Sequence, residues 1–83
     1  MFIRSPKELA LYIIDQRKKR KLSQAKVGKL VGLKQQTISE FELRPEGTKL
    51  STLFSILSAV SLEIKASTKE DAITSKTSWK EEW

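Results

Sequence analysis

In the stretch "SQAKVGKLVGLKQQTISEFE", residues 23–42, an apolar helical pattern breaks at Gly32 and restarts a few residues later. Val27, Leu30 and Val31 give a two-turn apolar face before the break, and Ile38 and Phe41 give another after it. Ser23 suits the N-cap of the first of these helices. Glycine enters the left-handed region without steric cost, so Gly32 ends that helix. The second runs from about Gln35 to Glu42. Val27, Val31, Leu33, Ile38 and Phe41 then form a wedge that holds the two helices at a steep angle. Gly28, four residues before the turn, lets them approach closely.

Two short helices joined in this way make a helix-turn-helix unit. With the wedge buried, the start of the second helix faces outward, carrying Lys34, Gln35, Gln36 and Ser39. A glutamine amide matches the donor and acceptor of adenine, and a lysine can donate to guanine, in the major groove of DNA. These four are the expected base-reading residues; the plain alternative is a solvated polar face. Gln24 would sit over the backbone at the preceding helix start, with a phosphate near that helix N-terminus. Thr37, Thr48 and Lys49 flank the reading helix and are further phosphate candidates, with Arg44 a weaker one. Arg17 could clamp a phosphate or pair with Glu40 or Glu42. Lys18, Lys19, Arg20 and Lys21 read as a solvated, loosely attractive face that also suits the negative end of a helix dipole.

The flanking sequence supplies the rest of an all-α bundle of four to five helices. "SPKE", residues 5–8, is a helix start: Ser5 can cap, Pro6 suits the first turn and Glu8 completes a capping box. Ala10, Ile13, Ile14 and Arg17 follow at helical spacing, while Leu11 and Tyr12 lie partly off that face, where a second subunit could meet them. "RPEG", residues 44–47, is turn chemistry. Leu50, Leu53, Phe54, Leu57 and Val60 mark a last helix with a strongly apolar face. From Leu62 the period becomes two: Leu62, Ile64 and Ala66 alternate with polar residues, as in a strand. A lone strand leaves its backbone unpaired, and the same strand of a second copy, antiparallel across a two-fold axis, would satisfy it. The expected organisation is a helix-turn-helix domain over 1–61, a dimerising strand over 62–66 and a flexible tail over 67–83. The tail is poor in apolar residues yet holds two of the six aromatics, Trp79 and Trp83. Tryptophan often anchors interfaces, so "WKEEW" reads as a segment that docks on a partner.

Composition closes off other functions. With no Cys and no His, the chain has no disulfide, no thiolate nucleophile, no Ser-His-Asp arrangement and few routes to zinc. No acid–base pair or phosphate loop is apparent, so an enzyme is not expected, and neither a cofactor nor a metal is called for. The longest apolar run, "LALYII", is too short to span a bilayer, and no leader is apparent, which points to the cytoplasm. The net charge of +6 is uneven. Residues 1–66 hold 13 Lys/Arg against 6 Asp/Glu, a balance of +7, whereas residues 67–83 hold 3 against 4, a balance of −1. A basic body favours a polyanionic partner.

The run "LSQAKVGKLVGLKQQTISEFE" resembles the phage repressor and Cro type (XRE) of helix-turn-helix domain, over about residues 5–62. More narrowly, the start "SP-E-LA", the middle "GLKQQTISEFE" and the end "TKLSTLFSILSAVSLEIK" resemble the HipB antitoxins. That resemblance implies a homodimer, a C-terminal strand paired across it, and a flexible tail. It implies double-stranded operator DNA as one partner and a HipA-like serine/threonine kinase toxin as the other. The chain would repress the operon the two share, in the bacterial cytoplasm and on the nucleoid. By the same resemblance Lys34, Gln35, Gln36 and Ser39 match the family's base-reading positions. Lys26 stands where an acid is common, Gly28 where Ala is commoner, and Lys18, Lys19 and Arg20 make the first helix more basic than in many relatives. Two other readings stay open: a phage-type repressor or restriction–modification controller without a toxin, and a toxin-binding protein with vestigial DNA binding.

Overall fold

The computed structural model describes residues 2–69. These form four α-helices: α1 over Pro6–Lys19, α2 over Gln24–Val31, α3 over Gln35–Leu43 and α4 over Leu50–Ala59. A 3₁₀ turn, Pro45–Gly47, links α3 to α4. Trp79 and Trp83, and the tail from residue 70, lie outside the described residues.

The helix starts follow from their caps. Ser5 Oγ accepts from the Glu8 N–H at 3.1 Å, and Ser23 Oγ accepts from the Lys26 N–H at 3.0 Å. The Glu8 carboxylate reaches back as a capping box would, but its donor is the Arg4 N–H, one residue before the cap. Helices α1 and α4 end alike. Lys21 and Ser61 take the left-handed conformation, with φ of 58° and 59°. The next N–H then reaches back five residues, from Leu22 to Arg17 and from Leu62 to Leu57, at 3.0 and 2.9 Å.

Every helix contributes to one core of Ala10, Ile13, Val27, Ile38, Phe41, Ile56, Leu57 and Val60. Leu9, Leu22, Leu33, Leu53, Ala59 and Leu62 pack around it. Two expectations need correction. In α4 and its C-cap the inward stripe is the half-buried Leu53 with the buried Ile56, Leu57 and Val60, at the i, i+3, i+4, i+7 spacing of a helix face. Leu50 and Phe54 fall on its shoulder and are 70% and 56% exposed. In α2 the core side is Val27 and Gly28, and Leu30 turns outward, 53% exposed. Leu11 is exposed and Tyr12 half-buried, as their positions off the α1 core face imply.

Residues 62–68 carry no regular secondary structure, and there is no strand among the described residues. Leu62 is half-buried, while Ile64 and Ala66 are exposed. Leu62 and Ile64 share a shallow groove with Phe54 and Leu57 of α4.

Candidate nucleic-acid interface

The turn between α2 and α3 sets the geometry of the site. Gly32 adopts φ 75° and ψ 26°, which a residue with a Cβ enters only under strain. Its N–H and that of Leu33 both return to the Gly28 carbonyl, the second at 2.8 Å. Gly28 is needed for a different reason. A Cβ there would run into the carbonyl oxygen of Leu33, so the turn packs directly onto the helix it leaves. Leu33 and Lys34 are thereby led across α2, and α3 starts with Ile38 and Phe41 facing inward, 0% and 2% exposed.

Ile38 and Phe41 fix what the rest of α3 presents. Lys34, at the N-cap, makes no side-chain capping bond and is exposed, as are Gln35 and Gln36; Ser39 is half-exposed. Helical spacing puts Gln36 and Ser39 on the side away from the core. The four proposed readers therefore share the N-terminal half of α3 and its cap.

Each flank of α3 meets a different neighbour. On the first, Gln35 Nε2 donates to Gln24 Oε1 at 3.5 Å, and Gln24 Nε2 donates to Glu42 Oε1 at 2.8 Å. Glu42 in turn accepts from Arg17 Nε at 2.7 Å and from Arg17 Nη2 at 3.0 Å. Arg17 Nη1 donates to the Leu22 carbonyl at 2.9 Å. The chain of bonds runs from the first residue of α3, through the first residue of α2, to α1. On the second flank, Thr37, Glu40 and Arg44 face Thr48, Lys49 and Thr52 across an open cleft of about 530 Å³.

Thr37 and the pair Thr48 and Lys49 thus line one concave surface beside α3, while Gln24 stands on its other side. Arg17 is spent otherwise. Of the two partners open to it, the structure shows the carboxylate, with all three nitrogens bonded and the side chain only 11% exposed. The hub of this network, Glu42, is offered by the sequence merely as one of two counter-ions. The Leu22 carbonyl carries no sequence signal at all.

Residues 13–64 match the helix-turn-helix family HTH_3. Two curated relatives are the antitoxin HipB of Escherichia coli O6:H1 and that of Escherichia coli K12. Each is 39% identical over 62 residues, which is 75% of this chain. The chain belongs to the HipB family of helix-turn-helix antitoxins. The matched region covers 66% and 70% of those two HipB proteins, so the chain spans about two thirds of the length of these relatives. Among solved structures, HipB in a HipA–HipB–O2–O3 complex superposes with a TM-score of 0.81 at 35% identity, covering 83% of this chain and 97% of that one. HipB in a HipB–O4 20mer complex gives 0.80 at the same identity and coverage. Membership of the HipB family places the chain among DNA-binding regulators rather than enzymes. No helix among the described residues is long and apolar enough to cross a membrane.

Proposed function

We propose that this HipB-family chain is a homodimeric operator-binding repressor and the antitoxin of a HipA-like serine/threonine kinase, acting in the bacterial cytoplasm on nucleoid DNA. The observation that carries the DNA reading is the grouping of Lys34, Gln35, Gln36 and Ser39 at the outward end of α3, with Gln24 on one flank and Thr37, Thr48 and Lys49 on the other. The four read base edges in the major groove, and the flanking residues hold the two phosphate backbones. Family membership supports the antitoxin role, since HipB relatives have been solved with HipA and with O-numbered sites.

The dimer is built by residues 62–66 pairing antiparallel with the same segment of a second copy, which buries Leu62, Ile64 and Ala66. Leu11, Phe54 and Ile64, each at least half exposed, support this reading, because a single copy leaves them in water. Two copies then set two recognition helices in successive major grooves, roughly 34 Å apart. Trp79 and Trp83 anchor the tail on the kinase. Footprinting on the DNA upstream of the chain's own gene tests the DNA reading: the expected result is an inverted repeat with half-sites about 10 bp apart. Protection without a repeat would contradict the dimer. No protection at all would favour the reading in which DNA binding is vestigial.

A further inference from the structure

Between Arg17 and Lys34 the chain carries eight cations and no acid. Arg17 is consumed by Glu42, and Lys19 pairs with Asp15 at 3.4 Å. Lys18, Arg20, Lys21 and Lys26 are exposed, and no carboxylate among the described residues lies within ion-pair distance of any of them. One or two cations would satisfy the end of α1. Among the described residues the excess is positive charge without a counter-ion, held at the α1–α2 corner.

Hydrogen bonds close that corner and tie it to α3. The Leu22 N–H reaches Arg17 O at 3.0 Å and the Lys21 N–H reaches Lys18 O at 2.9 Å, which closes the end of α1. Arg17 Nη1 holds the Leu22 carbonyl while the same guanidinium grips Glu42 of α3. Gln24 follows two residues later and touches Gln35. The cationic corner therefore adjoins Gln24 along the chain, and Gln24 touches Gln35.

The geometry points to a second DNA-binding surface at this corner: Lys18, Arg20, Lys21 and Lys26 hold the phosphates of duplex beyond the base pairs that α3 reads. This deepens the DNA-binding reading above and rests on it. The contacts are to phosphate alone, so the corner adds affinity and salt dependence but no sequence preference. It also accounts for the placement of the charge, which a general role in solubility would leave scattered.

The test compares wild type with the variant Lys18→Gln, Arg20→Gln, Lys21→Asn, Lys26→Gln, in which asparagine tolerates the left-handed backbone at position 21. Binding is measured against salt on the operator trimmed to about 20 bp, on the operator within about 40 bp, and on a scrambled duplex of that longer length. On both long duplexes the slope of log K against log salt is expected to fall by about 2 to 3 in the variant, with affinity falling roughly tenfold or more at low salt. On the trimmed operator the difference should largely vanish. The operator-to-scrambled ratio should stay as in wild type. An unchanged slope on the long duplexes overturns the corner as a DNA surface, even if the operator is still preferred. A lost operator preference in wild type sinks the base-reading proposal instead, and leaves the corner to be judged on the scrambled duplex. If the variant does not fold, wild type alone decides: equal slopes on trimmed and long operator contradict the proposal. Weaker binding of an acidic protein with DNA slopes unchanged would reassign the corner to that partner.

Discussion

The Arg17 guanidinium grips the Glu42 carboxylate through two hydrogen bonds, at 2.7 and 3.0 Å, across 25 residues of sequence. The pair is 11% and 7% exposed, so little water reaches either charge. Removing one member leaves the other buried and uncompensated, at a cost of about 3 kcal/mol or more. Arg17→Met and Glu42→Leu should each lower stability by that much in urea unfolding. The double variant should recover most of the loss, because it leaves no orphaned charge. Additive losses would mean that the two residues do not act as a pair.

Gly28 and Gly32 should respond differently to alanine. At Gly28 helix propensity favours alanine by about 1 kcal/mol, but the new Cβ meets the Leu33 carbonyl, a backbone atom that cannot swing aside. We expect Gly28→Ala to destabilise by roughly 1–3 kcal/mol, with DNA binding lost as the turn shifts. At Gly32 nothing lies near a Cβ, so only the φ of 75° is strained. There, alanine should cost about 1 kcal/mol and asparagine less. Thermal unfolding separates the two; a stabilised Gly28→Ala would show that the turn has slack.

Ser61 sits in the left-handed region where α4 ends. Ser61→Gly should relieve that strain and raise stability by about 0.5–1 kcal/mol. The measurement is the urea midpoint at constant m-value, and a lower midpoint would contradict it.

Lys49 and Thr48 line the cleft beside α3, on the side opposite Gln24. As phosphate contacts, they should carry salt dependence but no sequence preference. Lys49→Gln should reduce the salt slope by about 1 and weaken operator and scrambled DNA by a similar factor. A change in base preference instead would assign Lys49 to reading.

Much of this was legible in sequence because the deciding features are local. The break at Gly32, the caps at Ser5 and Ser23 and the inward pair Ile38 and Phe41 each depend on residues a few positions apart, where spacing alone constrains the backbone. The less legible parts depend on three-dimensional company. Leu50 and Phe54 look like core by hydropathy, but Ile56 fills that interior, and a count of apolar residues cannot say which side of a helix wins. Arg17 illustrates the limit: its charge suits a phosphate as well as a carboxylate, and only the placement of Glu42 and the Leu22 carbonyl shows where it is spent. The Gln24–Gln35 contact depends on the crossing of two helices, which the glycine turn implies but does not fix in detail.

The central claim is that the outward end of α3 reads base pairs. Its most direct test is the affinity of Gln35→Ala and Gln36→Ala for the operator and for operators with single base-pair changes, at fixed salt. Each substitution should cost about 1–3 kcal/mol on the intact operator and flatten the preference at one or two positions of each half-site, with the salt slope unchanged. Unchanged affinity together with unchanged base preference in both variants would contradict the account.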